Sequence, residues 1–191
     1  LHAHRLHEDA FAPGQNKPRS WRWIRRHVIE PRRPAKFIAL VRDPVAVKVS
    51  DFFMNLSKGG RKRAMAQAGP EELIAMFNKT AGQSSFQLNW FETEVEPVLG
   101  IDVFSAPFPL DLGYATYRNG PFELLVMRTE LPDEKKSRIV AEFVGVSKLS
   151  IGRTNTNEQK TYAERRRAFE AALSIDPTQM AAWLSAPLMQ H

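Results

Sequence analysis

The 191-residue chain carries 27 Lys and Arg against 21 Asp and Glu, a formal net charge of +6, with 43 % hydrophobic residues, 10 % aromatic residues and no cysteine. That apolar share suffices for a buried core and argues against disorder; the lack of cysteine excludes a disulfide framework, thiolate catalysis and Cys-ligated zinc, and no apolar run reaches the ~18 residues of a membrane span. The charge is uneven: residues 1–63 hold fifteen Lys and Arg against five Asp and Glu, while residues 64–191 hold twelve against sixteen.

In chain order, Leu1 to Leu6 reads as a short strand with His2 and His4 on one face. Residues 8–18, with Pro13-Gly14 and Pro18, read as a loop. From Ser20 to about Glu30 a helical stripe of Trp21, Ile24 and Val28 is flanked by arginines and is broken by Pro31 and Pro34. Phe37 to Val41 is a continuous apolar run, the pattern of a parallel strand covered on both faces. Asp43 as N-cap and Pro44 at the first helical position then open a helix with Val45, Val49, Phe52, Phe53 and Leu56 inward, and Gly59-Gly60 closes it.

Pro70 opens a helix with Leu73, Ile74 and Phe77 inward; another from Ser85 carries Phe86, Trp90 and Val95 toward Pro97. Ile101 to Phe104 reads as a short strand. Tyr114 to Arg118, the dipeptide Asn119-Gly120, and Phe122 to Arg128 give the strongest hairpin signal, its second arm apolar enough for a central strand. Helices follow over Asp133 to Val144, stopped by Gly145, over Glu158 to Leu173, and over Pro177 to Leu184. This alternation predicts one α/β domain over 1–191, a three-layer sandwich with a mostly parallel sheet. No internal repeat is present.

The chemistry concentrates in Phe37 to Phe53. A buried strand that delivers an Arg at its carboxyl end and turns into a helix aims Arg42 at the crevice where open α/β sheets bind ligands. Ser50 follows eight residues later, a little over two turns up the helix. An Arg fork and a Ser hydroxyl are usual partners of a phosphate; the bland alternative is an Arg42–Asp43 pair with Ser50 merely exposed.

Arg42-Asp43-Pro44 with Ser50 resembles the 3′-phosphate motif of sulfotransferases that use PAPS (3′-phosphoadenosine 5′-phosphosulfate), which implies that Arg42 and Ser50 hold that phosphate. Asn89 to Phe104, Phe108-Pro109, Gly113-Tyr114 and Glu123 to Glu130 resemble the bacterial capsular polysaccharide synthesis family within the sulfotransferase superfamily, and Asn155, Lys160 and Tyr162 match its Asn, Lys and Tyr grouping. The resemblance implies a P-loop NTPase-like sulfotransferase fold, PAPS as co-substrate, PAP as product, a glycan hydroxyl as acceptor, and a bacterial cytoplasmic location. It covers most of residues 37 to about 170.

The chain also departs from that pattern. The superfamily opens with a strand and a phosphate loop, for which Gly59-Gly60-Arg61-Lys62 is no substitute because it follows a helix; the resemblance therefore implies truncation at both ends, with the first βα unit absent. Val47 stands where relatives often have a second Arg, with Lys48 adjacent as a substitute. Arg153 and Lys160 are the nearest candidates for a late phosphate contact.

Sulfuryl transfer needs a base to take the acceptor proton, and a neutral imidazole suits that near pH 7. By the resemblance His4 is the first candidate and His2 the second; a frayed terminus is the bland alternative. A metal site using His2, His4 and one of His7, Glu8 or Asp9 has no further His or Cys cluster to complete it, so no metal is expected. Trp90 and Phe91 read as core in preference to an acceptor platform, and Glu92, Glu94 and Glu96 as a solvated helix face, with a carboxylate there that orients a sugar hydroxyl or acts as a base as the alternative. Asn55-Leu-Ser57 and Asn78-Lys-Thr80 fit the glycosylation sequon, which means little without a secretory signal. The leading expectation is a PAPS-dependent sulfotransferase whose cationic first third surrounds the nucleotide, with no nucleic-acid partner. The alternative is a non-catalytic basic module that binds nucleic acid or another polyanion through Arg19 to Arg33.

Overall fold

The hairpin signal and the apolar run after Pro34 build the sheet. The structure, a computed structural model, describes residues 19–56, 67–81, 88–151 and 162–191. Strands β1 (Ala35–Val41), β2 (Tyr114–Asn119) and β3 (Phe122–Arg128) form a sheet in the order β1-β3-β2. β1 runs parallel to β3 with Ala35 beside Phe122 and Val41 beside Arg128, and β2 runs antiparallel with Tyr114 opposite Met127. β3 is central, with Leu124, Leu125, Val126 and Met127 all buried, as its unbroken apolar run requires.

Two expectations change here. Among the described residues the sheet is small and mixed, not mostly parallel, because the tight turn between β2 and β3 forces that pair antiparallel. The turn itself sits on Gly120, at φ +57°, and Pro121, one residue later than the Asn119-Gly120 reading; Asn119 still pairs with Phe122 and is the last ladder residue. Among the described residues β1 pairs with β3 alone. Only Ala39 is buried, and Ile38 is 44 % exposed. Its continuous apolar run reported hydrophobicity without reporting a neighbour on either side.

Helices lie on both faces of the sheet. On one face a π-helical turn, Phe91–Val95, runs straight into the short helix α4 (Glu96–Leu99), and Phe91, Val95 and Leu99 pack against Ala39, Phe122, Leu124 and Val126. On the other, Ile139 and Val140 of helix α5 (Asp133–Val144) pack against Leu125 and Met127. A third core is all helical. Helices α2 (Pro44–Leu56), α3 (Pro70–Ala81), α6 (Ala163–Ala172) and α7 (Pro177–Leu184) converge through Phe52, Phe53, Phe77, Phe169 and Trp183, largely edge to face; Phe53 and Phe169 meet at 5.2 Å and 83°. The whole is a mixed α/β fold with a small open sheet.

Ile101 to Phe104 does not form a strand. Asp102 accepts the Phe104 backbone N–H on its carboxylate at 2.8 Å, a local side-chain turn that replaces ladder bonding, while Ile101 and Val103 still bury themselves against the sheet. A short last helix, α8 (Pro187–Gln190), carries no sequence signal beyond its proline. Gly113, at φ +75°, is required twice over: the left-handed backbone disfavours a side chain, and a Cβ there would lie 2.8 Å from Leu131. The expected strand Leu1 to Leu6, the 8–18 loop, the Gly59-Gly60 stop and the starts of two helices, at Ser85 and Glu158, lie outside the described residues.

The basic helix is placed at the other end of the sheet from Arg42. Helix α1 (Arg19–Ile24) continues as a π-helical turn, Arg25–Ile29. Arg32 then takes a left-handed backbone, φ 49°, and the backbone N–H groups of Arg32 and Arg33 fold back onto the carbonyls of Ile29 and Val28. Arg32 lays its guanidinium over the Phe122 ring, 5.2 Å from the centroid, at the amino end of β3. The seven residues of β1 therefore separate this basic segment from Arg42 by roughly 20 Å at ~3.3 Å per residue.

Candidate functional site

Arg42 follows directly on β1, and the turn after it is fixed by the helix it opens. The Asp43 carboxylate accepts the Ala46 backbone N–H at 2.8 Å, closing the first turn of α2 as an N-cap, and Pro44 supplies a preset helical φ where no N–H donor is needed. Asp43 is thereby committed to the helix. Among the described residues no ion pair engages Arg42, so the Arg42–Asp43 pairing is not formed there. No acidic residue follows within the first turn of α2, so the Asp43 carboxylate is the anion that meets the positive end of its dipole.

The neighbouring strand end completes an edge that the sequence reading did not assemble. Thr129 donates its backbone N–H to the Val41 carbonyl at 2.8 Å, extending the β1–β3 ladder by one bond. The Glu130 carboxylate accepts the Thr129 hydroxyl at 3.2 Å and, at 3.4 Å, the backbone N–H of Asp43. Its other oxygen lies 3.7 Å from Arg128 Nε, with both side chains nearly half exposed, a pairing worth little in water. Lys136, from the first turn of α5, donates to the Thr129 carbonyl at 3.1 Å and pairs with Asp133 at 2.8 Å. Two parallel strands thus end side by side, each in an Arg followed within two residues by an acid: Arg42-Asp43 and Arg128-Thr129-Glu130. That repetition was visible in the sequence, but only the strand pairing shows that the two are neighbours.

The other α2 candidates diverge. At about 100° per residue, Lys48 and Ser50 point some 200° apart. Lys48 is only 6 % exposed, on the face with Val49 and Phe52, and burial pushes its ammonium below the ordinary lysine range, against a smaller opposing pull from Asp51. Ser50 is half-buried on the opposite flank, and Val47 is half-buried as well. Lys48 and Ser50 therefore do not share one side of the helix.

Tyr162 is a core residue: buried, it stacks on Phe53 at 5.4 Å and 23°, and buried Arg166 lies 5.9 Å from the same ring while bonding Glu170 at 2.8 Å. His2, His4, Arg153, Asn155 and Lys160 lie outside the described residues. The acidic stretch differs from its expectation. Glu96 is exposed, but Glu94 is only 2 % exposed, and one Glu92 carboxylate oxygen is buried without a hydrogen-bond partner. The wider π turn shifts the phase of the stripe and carries Glu94 inward. Phe91 is buried and meets both Trp90 and Phe104 ring to ring.

Among the described residues no group of three His, Cys, Asp or Glu could hold a metal ion, and no helix is long and apolar enough to cross a membrane. A family model described as "Putative capsular polysaccharide synthesis protein" matches residues 71–191. The match takes in Arg128, Glu130 and Tyr162 and begins after Arg42. No curated protein and no solved structure matches the chain.

Proposed function

The chain belongs to the capsular polysaccharide synthesis family, and from that premise we propose that it is a biosynthetic transferase of the PAPS-dependent sulfotransferase type, moving a sulfuryl group to a carbohydrate hydroxyl. The observation that carries this reading is the place of Arg42: at the carboxyl end of a parallel strand, at the N-terminus of α2, and clear of its neighbour Asp43, whose carboxylate caps the helix. An anion held there meets a guanidinium fork beside the capped N-terminus of α2. In this reading Arg42, with Ser50, binds the 3′-phosphate of the nucleotide, and Arg153 and Lys160 supply later phosphate contacts. Lys48, buried and on the other flank of α2, supports the helix in preference to the phosphate.

The acceptor oxygen attacks sulfur as the bond from sulfur to the 5′-phosphate breaks; the electron pair leaves with PAP, and the acceptor proton passes to a base, His4 first and His2 second. The protein contributes position, charge and proton removal. Transfer of labelled sulfate from PAPS to purified capsular polysaccharide tests the reading: the full protein transfers label and Arg42→Ala does not. Absence of transfer, together with absence of PAP binding, overturns it.

A further inference from the structure

The basic segment at the amino edge of the sheet is left over by this reading, and its side chains divide into two groups. Arg25 pairs with Glu30 at 3.0 Å, Arg32 lies on Phe122, and Lys36 donates to the Phe143 carbonyl and rests on its ring; these three hold the fold together. Arg22, Arg26 and Arg33 are exposed and engage in no ion pair among the described residues. Trp23, between the first two, is 60 % exposed, and its ring meets that of His27, itself exposed, at 5.1 Å and a tilt of 37°. Arg22 with Arg26 and Trp23 with His27 are adjacent i, i+4 pairs, so the four side chains tile one surface of the helix. The backbone reversal at Arg32 returns Arg33 to the end of that helix, where its N–H bonds the Val28 carbonyl.

The exposed indole gives this helix surface an apolar face, and two arginines four residues apart repel each other. A ligand that is both polyanionic and built of rings with an apolar C–H face, as sugar rings are, answers both features: its charges neutralise the arginines while that face lies on the indole. We propose that Arg22, Trp23, Arg26, His27 and Arg33 form a docking surface for an anionic polysaccharide. The surface holds the polymer at the amino edge of the sheet, roughly 20 Å along β1 from the carboxyl edge. The choice of a glycan over a nucleic acid rests on the family reading above; the geometry of the patch does not depend on PAPS.

Polygalacturonate, a polymer of uronic acid, is the probe, with neutral dextran and double-stranded DNA alongside, titrated against the full chain at low and moderate salt. Polygalacturonate binds with a salt-dependent affinity, dextran does not bind, Arg22→Ala/Arg26→Ala weakens binding at least tenfold, and Trp23→Ala weakens it at least fivefold while Trp23→Tyr restores most of it. PAP-induced stabilisation is the same in every variant. Binding that ignores Trp23→Ala reduces the patch to a generic cationic surface and overturns the proposal, as does tighter, Trp23-dependent binding of DNA or no binding of polygalacturonate. Loss of PAP stabilisation in the unmodified chain with polygalacturonate binding intact refutes the sulfotransferase reading and leaves the docking surface standing.

Discussion

Thr129 donates its backbone N–H to the carbonyl oxygen of Val41 at 2.8 Å, the last bond of the ladder that brings the two arginine-bearing strand ends into one edge. Arg42 leaves one strand and Arg128 the other, with Glu130 bridging to the turn between β1 and α2. Backbone geometry thereby places two guanidinium groups at the carboxyl end of the sheet, with Glu130 against Arg128 and Asp43 turned to cap α2.

Glu130 acts at this edge as a capping group supplied from another strand, accepting the N–H of the helix N-cap residue. Glu130→Ala is expected to lower stability by about 1 kcal/mol, measured by urea unfolding, because the Asp43 amide and the Thr129 hydroxyl both lose an acceptor. Glu130→Gln keeps the acceptor and should recover most of that loss, since the ion pair it gives up is nearly half exposed on both sides.

Phe53 sits in the helical core between Tyr162, Phe169, Phe52 and the Arg166 guanidinium. Phe53→Ala should cost about 3–5 kcal/mol by equilibrium denaturation, the range for large buried rings, and leave Arg166 without its apolar cover. A loss under about 1 kcal/mol would show that the helical core does not pack as described.

Gly113→Ala places a methyl group against Leu131 on a left-handed backbone. The expected loss is about 1–2 kcal/mol from the backbone alone, plus the clash. Because the clash needs both side chains, the double variant Gly113→Ala/Leu131→Ala should be less unstable than the sum of its parts, which a double-mutant cycle reads directly.

Lys48 titrates below its ordinary value in the folded chain, chiefly because it is buried. Between the folded value and the unfolded value near 10.4, the unfolded chain holds the proton that the folded chain has lost, so this residue makes stability rise with pH across that window and penalises the fold at neutral pH. Lys48→Met should remove that alkaline rise, its advantage over the parent shrinking as pH climbs toward 10.4. A parallel pair of stability curves would contradict the burial.

Local chemistry made much of this legible from the chain alone. Asp43-Pro44 marks the start of α2, Gly145 the end of α5, and the apolar run from Phe122 marks a central strand, because caps, glycines and buried runs act over a few residues. What depends on pairing was not legible. Phe37 to Val41 reads alike at an edge or a centre, and hydrophobicity alone buries Ile101 and Val103 without saying that Asp102 turns the chain between them. The π turn that carries Glu94 inward has no sequence mark, and the repeated Arg-plus-acid strand ends acquire meaning only once β1 and β3 lie side by side.

The most direct test of the anion site is the effect of PAP on the melting temperature of the full protein, compared between the parent chain and Arg42→Ala. The account predicts a saturable rise in the parent, several degrees at a hundredfold excess over Kd, and none in the variant. No rise in the parent, or an equal rise in both, would contradict it.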